Sequence, residues 1–187
     1  MCIRDRLCPA DEEASQVTRL FFGLAAPPQA AVAIADWRDR RFPASGRAVS
    51  AANLHITLAF LGEVSEHRLE RLSLAVDALA PVGPLALELD QAGYWPGTGI
   101  CWLGPRHWPA ALDKLAARLG AIGAAQGGKR TGRRYTPHIT LYRGCESPPP
   151  APLEDPAFQL AFDHFHLYAS HRDARGVAYR TLETWDL

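Results

Sequence analysis

The tetrapeptide His-Ile-Thr-Leu occurs twice in this chain of 187 residues, at positions 55–58 and 138–141. Seven His and eight Thr in a chain of this length predict about 0.3 chance His-x-Thr triplets. Two copies that also share both apolar positions exceed that background. One such triplet by itself reads as an ordinary strand histidine beside a good β-former; the pair calls for chemistry. On a strand, residues i and i+2 share a face, so His55 stands with Thr57 and His138 with Thr140, each pair presenting an imidazole and a hydroxyl. Ile56, Leu58, Ile139 and Leu141 point the other way, toward a core.

Two imidazoles facing one cleft suit acid–base work near neutrality, because an unperturbed histidine titrates near about 6.5 and can hold either protonation state. The threonine hydroxyls supply donors to an anionic oxygen, and a phosphate offers oxygens in two directions at once. The expected chemistry is metal-independent phosphodiester cleavage. Among the four cysteines, Cys2, Cys8, Cys101 and Cys145, no C-x-x-C pair and no Cys/His grouping has zinc-site spacing. No metal and no cofactor is expected.

Further candidates surround the second copy. From Lys114 to Cys145 the chain carries Lys114, Arg118, Lys129, Arg130, Arg133, Arg134 and Arg143 with no acidic residue, a patch suited to the phosphates of an RNA end. Arg143 has the strand parity opposite to His138 and Thr140, so it reaches the cleft only if the strand twists or bulges. Tyr135 is a candidate to stack a base. Phe60 is a second candidate to stack a base, although its parity favours packing into the core. Residues 123–130 nearly spell a phosphate-binding loop, but Arg130 stands where Ser or Thr would hold magnesium, and the segment follows a helix rather than joining strand to helix. His164 and His166 read as exposed strand residues, and of the five tryptophans only Trp95, beside Pro96-Gly97, reads as a rim residue.

The elements that must position these groups are marked off by Gly and Pro. Strands are expected at 19–25, 54–61, 85–89, 100–103, 138–142, 158–169 and 177–185. Helices are expected at 29–41, from 65 with a stripe of Leu69, Leu72, Leu74, Val76 and Leu79, and at 108–125. Residues 100–103 are expected to pair with 85–89. Residues 1–17 read as a loose tail, apart from the domain at 18–187. Each His-Ile-Thr-Leu copy follows one amphipathic helix. The expectation is an α+β protein, bilobal, with two pseudo-twofold-related lobes of antiparallel sheet, helices outside, and a central cleft carrying the two motifs.

Composition narrows the setting. Twenty Lys plus Arg balance twenty Asp plus Glu, so no global basic field grips long nucleic acid. No run of about eighteen apolar residues predicts a membrane span, and a cytoplasmic monomer with no membrane partner is expected.

At the two motifs the chain resembles the two-histidine phosphoesterase superfamily, and within it the RNA 2',3'-cyclic phosphodiesterases, also called 2'-5' RNA ligases. The resemblance runs from Arg19 onward through Arg19-Leu20-Phe21-Phe22, Asn53 to Gly62, Pro137 to Arg143 and Leu167-Tyr168-Ala169-Ser170. It implies a bilobal fold, no metal, His55 as proton donor to the leaving oxygen and His138 as proton acceptor from water. It also implies RNA ends or small cyclic nucleotides as substrates, a 2'-phosphomonoester as product and a reverse 2'-5' ligase reaction. A non-catalytic binder of RNA ends or phosphorylated nucleotides is the alternative, although binding alone needs cations more than titratable bases.

Overall fold

The computed structural model describes residues 19–128, 134–173 and 176–187; the expected tail and Arg133 lie outside them. The chain begins with strand β1 (Arg19–Ala25), whose five central residues are all buried. Pro28 opens helix α1 (Pro28–Arg41), the first-turn position where a missing N–H costs nothing. A short strand β2 (Arg47–Ala48) and a single turn of 3-10 helix (Ala51–Asn53) lead into β3 (His55–Glu63), which carries the first motif. Then follow α2 (Glu66–Asp77), β4 (Leu85–Leu89), β5 (Gln91–Trp95), β6 (Ile100–Gly104) and α3 (Ala110–Ala125). β7 (Ile139–Arg143) continues directly from His138, and β8 (Phe158–Phe162), β9 (His164–Asp173) and β10 (Gly176–Asp186) complete the chain. The fold is α+β, as expected, with every described strand pair antiparallel.

The main sheet runs β10-β9-β1-β3-β7-β6-β5, with β2 added on β7. Its two halves meet at a single residue pair, Ile56 with Ile139. That seam lies between the two motifs. Antiparallel pairing at the seam sets the two copies head to tail, with Thr57 on the His138 side and His55 on the Thr140 side.

One expected pairing is wrong. Residues 100–103 pair with Gln91–Trp95, while Leu85–Leu89 leaves the main sheet and pairs with Phe158–Phe162 in a separate two-stranded sheet. A tight link, with Gly99 at φ 61°, closes the β5–β6 hairpin, and left-handed backbone of that kind favours glycine.

The back of the main sheet is the core. Ile56, Leu58, Ile139 and Leu141 are all nearly or fully buried, as their parity requires, and Leu61 is buried with them; each such side chain contributes about 1.5–3 kcal/mol relative to exposure. Helix α3 covers β3 with Leu112, Leu115 and Leu119, one face at helical spacing. Gly123 brings α3 close, since a Cβ there would meet Leu61 Cδ2 at 2.1 Å. The stripe expected on α2 is narrower than its sequence suggests: Leu72 and Val76 are buried, but Leu74 is exposed. The buried guanidinium of Arg38 donates to the Val49 carbonyl and to Asp39, and lies 5.4 Å from the Tyr142 ring centroid. Cys101 and Cys145 are buried thiols with their sulfurs 3.3 Å apart. Among the described residues no helix is long and apolar enough to cross a membrane.

Candidate active site

Each motif histidine is held by the backbone two residues before it. His55 Nδ1 lies 2.7 Å from the Asn53 carbonyl, and His138 Nδ1 lies 2.8 Å from the Thr136 carbonyl. A carbonyl only accepts, so in both rings Nδ1 carries the proton and Nε2 is left as the working nitrogen. In the first copy Nε2 lies 3.1 Å from Thr57 Oγ1, whose hydroxyl donates to it. Asn53 is itself anchored, its side-chain amide donating to the Val177 carbonyl of β10 at 2.7 Å.

The two rings sit in different surroundings. His55 is enclosed by aromatic rings from other strands: Phe21 at 4.9 Å, Tyr179 edge-on at 5.0 Å and Tyr168 at 6.1 Å between centroids. Among the described residues His138 has one such neighbour, Trp95, edge-on at 4.5 Å. Trp95 packs on Trp102, and the Trp102 indole occupies the space a Cβ at its ladder partner Gly93 would need. Trp95 is thus the rim residue expected. Phe21, Tyr168 and Tyr179 escape local reading because their role depends on which strands become neighbours of β3.

This enclosure sets the electrostatics. Burial pushes the His55 imidazole down from 6.5 to about 4, against the pull of the Asn53 carbonyl, and the positive Arg143 and His138 add to the depression. His138 is also lowered, first by burial and then by Arg143, while the Thr136 carbonyl opposes them. Arg143 therefore acts on both rings despite its nominal parity.

A β-bulge explains how. Along the β6–β7 ladder, Trp102 faces Thr140 and Cys101 faces Tyr142, so Leu141 is an extra residue with no partner of its own. Leu141 and Tyr142 both turn inward and Arg143 returns to the front. β3 does the same. Gly23 faces Thr57 and Phe22 faces Ala59, leaving Leu58 as the extra residue. Leu58 and Ala59 are buried in succession, and Phe60 emerges on the front face with 60% of its surface exposed. The expectation that Phe60 packs into the core is overturned, because simple alternation holds only while the ladder is regular.

Other candidates are placed elsewhere. Tyr135 packs against the hydrophobic core, with its hydroxyl buried and its phenol pushed up by that burial. Arg134 is exposed. His164 is exposed and pairs with Asp186 at 3.1 Å. His166, only partly exposed, meets the Thr184 hydroxyl at 2.9 Å. Among the described residues no group of three His, Cys, Asp or Glu is gathered as a metal site.

Residues 26–174 match the family described as the 2'-5' RNA ligase superfamily. The chain is 38% identical over 174 residues to the RNA 2',3'-cyclic phosphodiesterase of Escherichia coli K12, covering 92% of this chain and 98% of that protein. It is 29% identical over 182 residues to the protein of the same name from Thermus thermophilus, covering 90% of each. The crystal structure of E. coli LigT complexed with 3'-AMP superposes with a TM-score of 0.84 at 39% identity, over 92% of this chain and 99% of that one. The likeness spans both histidine strands and the sheet that joins them, and the chain belongs to the 2'-5' RNA ligase superfamily.

Proposed function

We propose that this protein hydrolyses the 2',3'-cyclic phosphate at RNA ends to a 2'-phosphomonoester, with the described sheet forming a single two-lobed catalytic unit. The observation that carries this reading is the matched pair of imidazoles, each locked by a backbone carbonyl so that Nε2 faces the reaction. In the proposed reaction, Nε2 of neutral His138 accepts a proton from water as the water oxygen attacks phosphorus. The bond from phosphorus to O3' breaks, and Nε2 of protonated His55 delivers a proton to O3'. Thr57, Thr140 and Arg143 hold the nonbridging oxygens. Attack by a 5'-hydroxyl in place of water would give a 2'-5' linkage through the same groups. RNA ends and small cyclic nucleotides both present the reacting phosphodiester. The buried thiols of Cys101 and Cys145 fit a reducing, cytoplasmic setting.

The test is hydrolysis of an oligonucleotide 2',3'-cyclic phosphate in the presence of EDTA, followed by identification of the phosphate position. Turnover is expected to persist and to yield the 2'-phosphate. Activity that disappears with chelator and returns with a divalent cation would overturn the two-histidine mechanism; substrate bound without turnover would favour a binding module.

The threonines give a smaller effect. Thr57→Ala and Thr140→Ala each remove one neutral donor, worth about 1 kcal/mol and more where the oxygen gains charge. The expected result is a loss in kcat/KM of roughly fivefold or more with thermal midpoints nearly unchanged. Unchanged kinetics in both variants would leave the hydroxyls without a part in the reaction.

A further inference from the structure

The seam between the two motifs continues into a third row that neither motif supplies. Antiparallel pairing sets Thr57 on the side of His138 and His55 on the side of Thr140. Pairing of β3 with β7 is confined to Ile56 and Ile139, and beyond His55 the chain meets β7 again as β2, with Arg47 opposite Arg143 and Ala48 opposite Tyr142. Tyr142 meets Cys101 of β6 on its other side, so β2 lies along the edge of β7 that faces β3. Cross-strand partners share a face of the sheet, which puts Arg47 on the front with Arg143. We infer that Arg47 binds the phosphate on O5' of the nucleotide that carries the 2',3'-cyclic phosphate, so that the site is built for an RNA end rather than for a free cyclic nucleotide. The inference deepens the proposed function by naming its substrate class, and rests on it.

Like charges directly opposite on a ladder repel each other, yet the fold holds these two together. Gly46 approaches β7 so closely that a Cβ there would fall 2.7 Å from the Arg143 carbonyl oxygen. On the other side of Arg47, the Val49 amide donates to the Leu141 carbonyl at 2.9 Å, and the Val49 carbonyl accepts from the buried Arg38 guanidinium. Both residues of β2 are exposed, so these tethers, and not burial of its own side chains, keep Arg47 opposite Arg143. Arg47 is exposed and Arg143 half-buried, and among the described residues neither lies within ion-pair distance of a carboxylate. Two guanidinium forks aligned without a carboxylate suit anions with several oxygens, phosphate above all. Position distinguishes their anions. Arg143 acts on both catalytic rings, whereas Arg47, one strand farther out, is not among the charges that shift either of them. The scissile phosphate therefore falls to Arg143, and Arg47 serves an anion one step beyond it. In an RNA end that anion is the internucleotide phosphate on O5' of the same ribose; a free nucleoside 2',3'-cyclic phosphate has none.

The experiment compares adenosine 2',3'-cyclic phosphate with the same compound carrying a 5'-phosphate, and reads the ratio of their kcat/KM values. In the wild type the 5'-phosphate is expected to raise kcat/KM about tenfold at low salt, the lower end of what a charge-assisted hydrogen bond supplies because the guanidinium is exposed, and to do so through KM. Arg47→Gln keeps a side chain that can donate and removes the charge, and its ratio is expected to fall toward unity; Arg47→Lys is expected to recover part of it. A dinucleotide ending in a 2',3'-cyclic phosphate supplies the RNA arm. Its phosphodiester-linked form is expected to be preferred over an uncharged methylphosphonate-linked form by the wild type and not by Arg47→Gln. The slope of log kcat/KM against log salt for the charged dinucleotide is expected to be shallower by about 0.7 in Arg47→Gln, the loss of one phosphate contact. A wild-type ratio near unity would overturn the inference, and so would equal losses on both adenosine compounds in Arg47→Gln, which would place Arg47 on the scissile phosphate. A preference for the 5'-phosphorylated compound without one for the charged dinucleotide would overturn the RNA end as its ligand. If the wild type turned over none of these substrates, the proposed function would fall, while calorimetry of adenosine 2',5'-bisphosphate against adenosine 2'-monophosphate, in the wild type and Arg47→Gln, would still decide whether Arg47 holds a 5'-phosphate.

Discussion

Replacing His55 or His138 with alanine is expected to lower turnover of a 2',3'-cyclic phosphate by about a hundred- to ten-thousandfold each, the range a positioned acid or base contributes. The pH dependence identifies which ring does what. Burial and neighbouring positive charge hold His55 near 4 and His138 below its ordinary value, so in the free protein both rings are neutral at pH 7. Productive substrate capture needs one proton on the pair, and the kcat/KM optimum is expected on the acidic side of 6.5. A bound phosphodiester anion favours the charged imidazole and pulls the pair upward. The alkaline limb of kcat should therefore lie at higher pH than that of kcat/KM. In residual activity, His55→Ala should lose the alkaline limb and His138→Ala the acid limb, although the limbs belong to the coupled pair and not to single rings. Initial-rate profiles from pH 4 to 9 check this, and a flat wild-type profile or full activity in either variant would contradict the assignment.

Arg143→Ala is expected to cost about 1.5–3 kcal/mol of transition-state binding, the worth of a charge-assisted hydrogen bond to phosphate, or roughly ten- to a hundredfold in kcat/KM. Its second effect has a definite sign. Arg143 depresses both histidines by repulsion, so its removal must raise both, most visibly in an NMR titration of the imidazole protons of the free protein. The kcat/KM optimum should move toward neutrality while its height falls. Arg143→Lys keeps the charge but loses the planar fork, and should keep the histidine titrations while recovering only part of the rate. Histidine titrations unmoved in Arg143→Ala would show that the guanidinium does not face the seam.

Much of the site was legible in the sequence because it depends on local periodicity. The repeated His-Ile-Thr-Leu, the polar front of His55, Thr57, His138 and Thr140, and the apolar back of Ile56, Leu58, Ile139 and Leu141 all follow from the two-residue period of a strand. The α+β class followed from alternating short apolar runs and amphipathic stretches. Tertiary structure decided the rest. Alternation predicts a residue's face only while each residue has one partner across the ladder, and the extra residues Leu58 and Leu141 have no compositional mark. Hence alternation by itself favours the core for Phe60 and leaves Arg143 conditional. Strand partners are chosen by packing between residues far apart in the chain, so the pairing of β6 with β5, and of β4 with β8, was not visible locally. The same holds for the aromatic enclosure of His55, assembled from Phe21, Tyr168 and Tyr179 on β1, β9 and β10. That enclosure lowers the His55 pKa by desolvating its charged form, a property of the surrounding volume and not of the residues beside it in sequence.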